Sequence, residues 1–272
     1  MSKLFVVGTP IGNLGDFSPR AVQTLTECDF IAAEDTRVTL KLLNHFGFKK
    51  PMVSYFEHNK RERGEMIVAR ILSGEMCALV TDAGMPAISD PGEDLVKLCH
   101  ENSIQVESVP GPCAFTTALA LSGMPSGRFT FEGFLSVNKP SRMEHLNSLK
   151  KEKRTMLFYE APHKLPATLR DMYKAFGDRE LAIVREITKL HEEVIKTTLA
   201  EAAEKYADGS LKGEIVLVIA GCPEEKETEI TFRQAVEMAQ SGVENGMSVS
   251  EAAKQTAKVT GFKKGDIYKE LI

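Results

Sequence analysis

Three times along this chain a short apolar run ends in a loop of glycine and proline, and each loop leads into a helical pattern. The first loop, Gly8-Thr9-Pro10-Ile11-Gly12-Asn13, follows Leu4–Val7. The second runs from Asp82 to Gly92 and follows Cys77–Thr81. The third, Pro110-Gly111-Pro112-Cys113-Ala114, follows Ile104–Val109. Phe30–Ala33 and Met52–Tyr55 read as further strands. Ser18-Pro19 opens a helix, since serine caps and proline tolerates the first helical position. Thr36 reads as the cap of the next helix, which carries Leu40, Leu42 and Leu43. A charged helix follows over residues 60–72, and another over Glu93–His100. Strands alternating with helices imply a mainly parallel sheet covered by helices. In such open sheets a ligand binds just outside the carboxyl ends of the strands, where all three loops lie.

A second α/β block follows a helix of small residues, Ala114–Leu121. Its strands read as Phe129–Phe134, Met156–Tyr159, Leu181–Glu186, Glu193–Thr197 and Ile215–Ala220. Helices are expected over Pro140–Leu149, Pro162–Tyr173 and Leu199–Tyr206. Pro223–Glu229 is a charged linker, and beyond it the periodicity is helical only, with Gly261 stopping one helix. The expected division is an N-terminal α/β domain over 1–115, a second α/β domain over 116–223 and a small helical domain over 228–272.

Much is excluded. There is neither G-x-x-x-x-G-K-[ST] nor G-x-G-x-x-G, so a P-loop or a standard dinucleotide site is not expected. The five cysteines are odd in number and lack C-x-x-C spacing, and the histidines do not cluster. Disulfides and a metal site are therefore not expected. No run approaches the roughly 20 apolar residues of a membrane span, and Met1–Gly8 reads as a strand instead of a signal peptide. A cytoplasmic location follows as the expectation. A net charge of −4 rules out a uniformly basic nucleic-acid binder but not a locally basic face.

The loop chemistry narrows the ligand. The loops hold several prolines, which lack an N–H donor, and no lysine or arginine, so they cradle phosphate poorly. Glycine admits close approach of backbone to a ligand. A small, partly apolar ligand without phosphate fits better. S-adenosylmethionine is such a ligand, and its sulfonium disfavours nearby lysines.

The chain resembles the tetrapyrrole methylase superfamily and, within it, the ribosomal RNA small-subunit methyltransferase I branch. The resemblance is carried by Val7–Leu14, Ala33-Glu34-Asp35-Thr36-Arg37, the whole Thr81–Gly92 loop and Val109–Ala114. Phe158-Tyr159-Glu160-Ala161-Pro162-His163 and Arg185-Glu186-Ile187-Thr188-Lys189 extend it to about Gly221. It implies two α/β domains with the S-adenosylmethionine cleft between them, plus a small helical C-terminal domain. It also implies a homodimer that methylates a cytidine ribose 2′-hydroxyl in the decoding region of small-subunit ribosomal RNA. Carried over by position, Pro10, Gly84, Met85, Pro86, Ile88, Cys113, Ala114, Tyr159 and Ile187 fall at cofactor contacts. Met85 stands where many relatives have aspartate.

A ribose hydroxyl is a weak nucleophile, so a base or a cation near the acceptor helps. Asp35, Arg37, Glu160, His163 and Lys189 are the candidates, because each follows a strand at the expected cleft edge. RNA, or the assembled small subunit, needs basic surface. Arg142, Lys150 and Lys151 supply one patch, and Lys254, Lys258, Lys263 and Lys264 supply another in the helical tail. The rival readings are a relative acting on a tetrapyrrole or a modified side chain, and a noncatalytic ribosome-binding protein. Neither accounts for both the lysine-free loops and the lysine-bearing tail.

Overall fold

The computed structural model describes residues 2–223 and 230–272. Most of the expected charged linker, residues 224–229, lies outside the described residues. The chain divides into two compact units, Met1–Cys222 and Pro223–Ile272.

The first unit begins with a parallel sheet. Its strands β1 (Leu4–Val7), β2 (Phe30–Ala33), β3 (Met52–Ser54), β4 (Cys77–Val80) and β5 (Val106–Val109) lie in the order β3-β2-β4-β1-β5. Successive side chains alternate between faces, so each strand needs apolar residues on both. Leu4, Val6, Phe30, Ala32 and Leu79 pack toward Ile67 and Ile71 of α3 (Lys60–Leu72) and Leu95 of α4 (Gly92–Glu101). Val7, Ile31, Ala33, Ala78 and Val80 pack toward Ala21 and Leu25 of α1 (Pro19–Glu27) and Leu43 of α2 (Thr36–His45). Ser18 caps α1 by accepting from the Ala21 N–H at 3.1 Å. The cap of α2 is Asp35 and not Thr36: the Asp35 carboxylate accepts the Arg37 N–H at 2.8 Å. A cap oxygen reaches the N–H two or three residues on, which places the cap one residue earlier than expected.

The second sheet is less parallel than the strand–helix alternation suggests. Its strands β6 (Phe129–Phe134), β7 (Thr155–Glu160), β8 (Glu180–Arg185), β9 (Glu193–Thr198) and β10 (Ile215–Ile219) lie in the order β6-β7-β10-β8-β9. Within this sheet only β6 and β7 run parallel. β10, fully buried, enters last and pairs antiparallel with both β7 and β8. One face is covered by α6 (Lys139–Ser148), α7 (Leu165–Phe176) and α8 (Leu199–Lys205). The other receives α5 (Ala114–Ser122) through Ala118 and Leu119, which meet Leu157, Val184 and Val216. Ile11, from the loop after β1, sinks into this same cluster with only 8% of its surface exposed. The first unit thus holds two α/β domains, joined where the first glycine–proline loop reaches across.

The second unit is helical: α9 (Phe232–Glu244), α10 (Val249–Thr260) and α11 (Lys264–Glu270). Thr231 and Gln234 form a reciprocal capping box, and Gly261 closes α10 in the left-handed conformation its missing Cβ allows. Ala239, Ala253 and Ile267 form its centre, and the Phe232 and Phe262 rings meet edge-on at 5.4 Å. No helix among the described residues is long and apolar enough to cross a membrane.

Candidate active site

β4, β1 and β5 are neighbours, so their three loops emerge side by side. The chain leaves β1 toward β2 on one side, and β5 lies on the other. Such a reversal is where open sheets leave a crevice. The loops are stitched together by backbone. Thr9 and Gly84 exchange N–H···O bonds of 2.9 and 3.2 Å. The Thr9 hydroxyl donates to the Thr81 carbonyl at 3.2 Å. Gly8 and Gly111 touch so closely that a Cβ on Gly8 would stand 2.7 Å from the Gly111 Cα, so neither position admits a side chain.

Beyond the loops lies a cavity of 410 Å³ between the two sheets. The first domain and the third loop line it with Ile11, Glu34, Asp82, Gly84, Met85, Ile88, Ser89, Asp90, Cys113 and Ala114. The second domain adds Phe134, Tyr159, Glu160, Ile187, Glu214 and Val216. Among the described residues, five carboxylates and no lysine or arginine line it.

Seven expected cofactor contacts, Gly84, Met85, Ile88, Cys113, Ala114, Tyr159 and Ile187, stand in this wall. Met85 also turns its thioether inward, where it accepts the Gly111 N–H at 3.3 Å. The long apolar side chain fills the gap between two glycine loops. Pro10 and Pro86 do not reach the cavity. Pro86 is buried behind its loop, and Pro10 links the bridged Thr9 to the inserted Ile11. Both prolines stiffen the frame.

Two cavity residues are held by the same backbone device. Ile88 lies between Ala87 and Ser89, with φ of 66° and 65°. Ile187 lies between Glu186 and Thr188, with φ of 51° and 66°. A left-handed conformation is costly for a residue with a Cβ and persists where its surroundings enforce it. For the first pair the enforcer is Asp90, whose Oδ1 accepts the Ala87 and Gly92 N–H groups at 3.0 and 2.8 Å.

Burial raises the Asp90 pKa, despite those two bonds. A carboxyl whose folded pKa is raised costs stability once pH rises through that value, and the cost vanishes when it is protonated. Asp90→Asn keeps an oxygen for both N–H groups and removes the charge. The variant is expected to melt higher at neutral pH, with the gain disappearing toward acid pH in calorimetry.

The expected catalytic group disperses. Glu160 reaches the cavity but is only 5% exposed; its carboxylate accepts the Thr168 hydroxyl and the Ala161 N–H. Asp35 and Arg37 lie outside the wall and are bound to each other at 2.6 Å. Arg37 holds the Asp35 carboxyl down to about 2. His163 sits exposed on a turn, also outside the wall. Lys189 pairs with Glu186 at 3.0 Å and Glu214 at 3.1 Å, and its alkyl chain lies against Gly12 of the first domain. Burial lowers its pKa, but the two carboxylates outweigh this and leave it raised.

Glu34 and Asp82, not Asp35, face the cavity. Glu34 accepts the Thr81 hydroxyl at 2.5 Å, and Asp82 accepts the Asp35 N–H at 3.1 Å. Partial burial, and then the neighbouring Glu34 charge, raise the Asp82 pKa. Burial pushes the Tyr159 hydroxyl up to about 12. Both acidic residues belong to motifs visible in the sequence, but only the fold tells which side chain faces inward.

Among the expected RNA contacts, Arg142 needs correction. Its Nε and Nη2 reach Asp171 at 2.9 and 2.8 Å, each side chain is 12% exposed, and Nη1 donates to the Ser136 and Val137 carbonyls. It ties α6 to α7 from inside. Lys150 and Lys151, just past α6, are exposed. In the helical unit Lys254, Lys258, Lys263 and Lys264 are exposed, and Lys264 donates to the Ser250 hydroxyl.

Comparison with known proteins agrees with this geometry. The family model Tetrapyrrole (Corrin/Porphyrin) Methylases matches residues 3–203. The ribosomal RNA small subunit methyltransferase I of Synechocystis sp. is 44% identical over 269 residues, covering 98% of this chain and 96% of that one. The protein of the same name from Thermotoga maritima is 48% identical over 221 residues, 81% of this chain and 99% of that one. Among solved structures, uroporphyrin-III C-methyl transferase from Thermus thermophilus, complexed with S-adenyl homocysteine, superposes with a TM-score of 0.57 at 16% identity. That match covers 80% of this chain and 97% of the other, and it shows a shared fold. With the loops, the inter-domain cavity and these matches together, the chain belongs to the tetrapyrrole methylase family, among the ribosomal RNA small subunit methyltransferase I proteins.

Proposed function

We propose that this protein transfers a methyl group from S-adenosylmethionine to the 2′-hydroxyl of a cytidine ribose in the decoding region of small-subunit ribosomal RNA. The observation that carries the reading is the cavity wall: apolar contacts, close-approaching glycine backbone and five carboxylates, with no cationic side chain among the described residues. A cationic sulfonium fits such a wall, and a phosphate ligand does not. The relatives' name supplies the RNA.

Gly84, Met85, Ile88, Cys113, Ala114, Tyr159 and Ile187 hold the cofactor, with Pro10 and Pro86 stiffening the loops behind them. When bound, the cofactor supplies an electrophilic methyl group. The protein holds the acceptor in line and takes up its proton. Asp82 is the proposed base, oriented by the Asp35 N–H and carrying a raised pKa. Glu160 is engaged by Thr168 and the chain itself, and Asp35 serves as a cap; Arg37, His163 and Lys189 remain secondary candidates. Lys150, Lys151 and the tail lysines 254, 258, 263 and 264 provide phosphate contacts. The proposed boundaries are 1–115, 116–223 and 228–272. The proposed working form is a cytoplasmic homodimer acting on the small subunit or its RNA.

The test is transfer of tritiated methyl groups to assembled small subunits and to naked RNA, with the labelled nucleotide mapped. Label on a cytidine 2′-oxygen is expected. Label confined to porphyrinoids would overturn the assignment.

A further inference from the structure

Phe134 is an aromatic ring whose direction depends on a local break in strand geometry. Among the described residues, β6 is an edge strand paired only with β7. Phe131 faces Leu157 and Phe134 faces Tyr159, so three steps along β6 match two along β7. In a regular strand, residues three apart point to opposite faces. The extra residue is a β-bulge, and Gly133 sits there at φ 64°. The bulge returns Phe134 to the face of Phe131 and Tyr159. The result is a file of rings: Phe115 stacks on Phe131 at 4.4 Å, Phe131 meets Tyr159 at 4.9 Å, and Tyr159 meets Phe134 at 5.3 Å. The inner rings are half-buried, whereas Phe134 lines the cavity with 57% of its surface exposed. Ile88, also exposed and flanked by two left-handed residues, lines the same cavity. The Ser89 hydroxyl lies 3.5 Å from where a Gly133 Cβ would stand, so the bulge and that loop meet at the cavity.

We propose that Phe134 is the stacking platform for the base of the nucleotide being methylated. The assignment rests on the RNA reading given above. A base free of its helix is commonly held against an aromatic face, and any base offers such a face. The inner wall already offers Ile11, Ile187, Val216 and Tyr159 to the cofactor. A ring left largely open at the solvent side suits a ligand that arrives later and from outside. Stacking fixes the base plane, and with it the direction in which the attached ribose presents its hydroxyl.

The experiment uses the full-length protein with F134A and F134W. Three quantities are read: the Kd for S-adenosylmethionine by calorimetry, kcat and KM for small-subunit RNA, and the sedimentation coefficient. F134A is expected to lower kcat/KM for RNA by about ten-fold or more, with the cofactor Kd within about two-fold of wild type. F134W is expected to recover most of the loss, because it restores a π-face. An equal loss of cofactor affinity would assign the ring to the adenine and overturn the proposal. A shift in sedimentation would assign it to a subunit contact and overturn the proposal equally. Unchanged RNA kinetics in F134A, with wild-type protein active on RNA, would defeat this assignment alone. A wild-type protein inactive on both the RNA and assembled small subunits would defeat the parent reading and this one together.

Discussion

Asp82→Asn is expected to lower kcat for RNA methylation by about 10²–10⁴-fold, a far larger effect than on S-adenosylmethionine affinity, to which Asp82 adds one wall carboxylate among five. Asparagine keeps the oxygen that accepts the Asp35 N–H, so the loop stays in place and only the proton acceptor is lost. The pH profile gives an independent check. A base works when deprotonated, so wild-type activity falls as pH drops through the Asp82 pKa. That pKa is raised by partial burial and then by Glu34, so the acid limb lies above the ordinary aspartate range. Glu34→Gln retains an acceptor for the Thr81 hydroxyl but removes the repelling charge. It is expected to move the acid limb to lower pH. An Asp82→Asn enzyme with wild-type kcat would remove Asp82 from the chemistry.

Arg142→Ala is expected to destabilise the protein by about 3–5 kcal/mol, because it leaves the buried Asp171 carboxylate without its cation. The Ser136 and Val137 carbonyls lose their donor as well. Arg142→Lys is expected to recover only part, since an ammonium cannot span two carbonyls and a carboxylate as a planar fork does. Thermal melting separates this role from RNA contact. A surface phosphate contact would leave stability within about 0.5 kcal/mol and change only the salt dependence of RNA binding. Lys150→Ala with Lys151→Ala should show that second behaviour. A melting temperature unmoved in Arg142→Ala would return Arg142 to the RNA-facing set.

The contrast between these residues shows what one-dimensional information reaches. The strands of the first sheet, the three loops and the capping serine are local features, set by periodicity and by the special backbones of glycine and proline. They are legible in the sequence, and with them most of the cavity wall. Facing direction at strand ends is harder to read. Glu34, Asp35 and Arg37 are near neighbours in one motif, yet the first turns to the cavity and the other two bind each other. Partners distant in sequence are out of reach. Asp171 lies 29 positions from Arg142, so a basic run reads as open surface. Phe134 depends on a single inserted residue that reverses the alternation of its strand, and no local pattern announces it. The antiparallel entry of β10 is hidden for a related reason: an all-apolar strand reads the same in either direction.

Ile11 has a consequence for how a large substrate gains entry. Because that side chain is corked into the second domain's oily interior, the two domains cannot swing apart like doors on a hinge without first drawing the plug into water. Opening along the seam between the domains therefore carries the cost of exposing Ile11, whereas Ile88 and Phe134 already face solvent and can be reached without it.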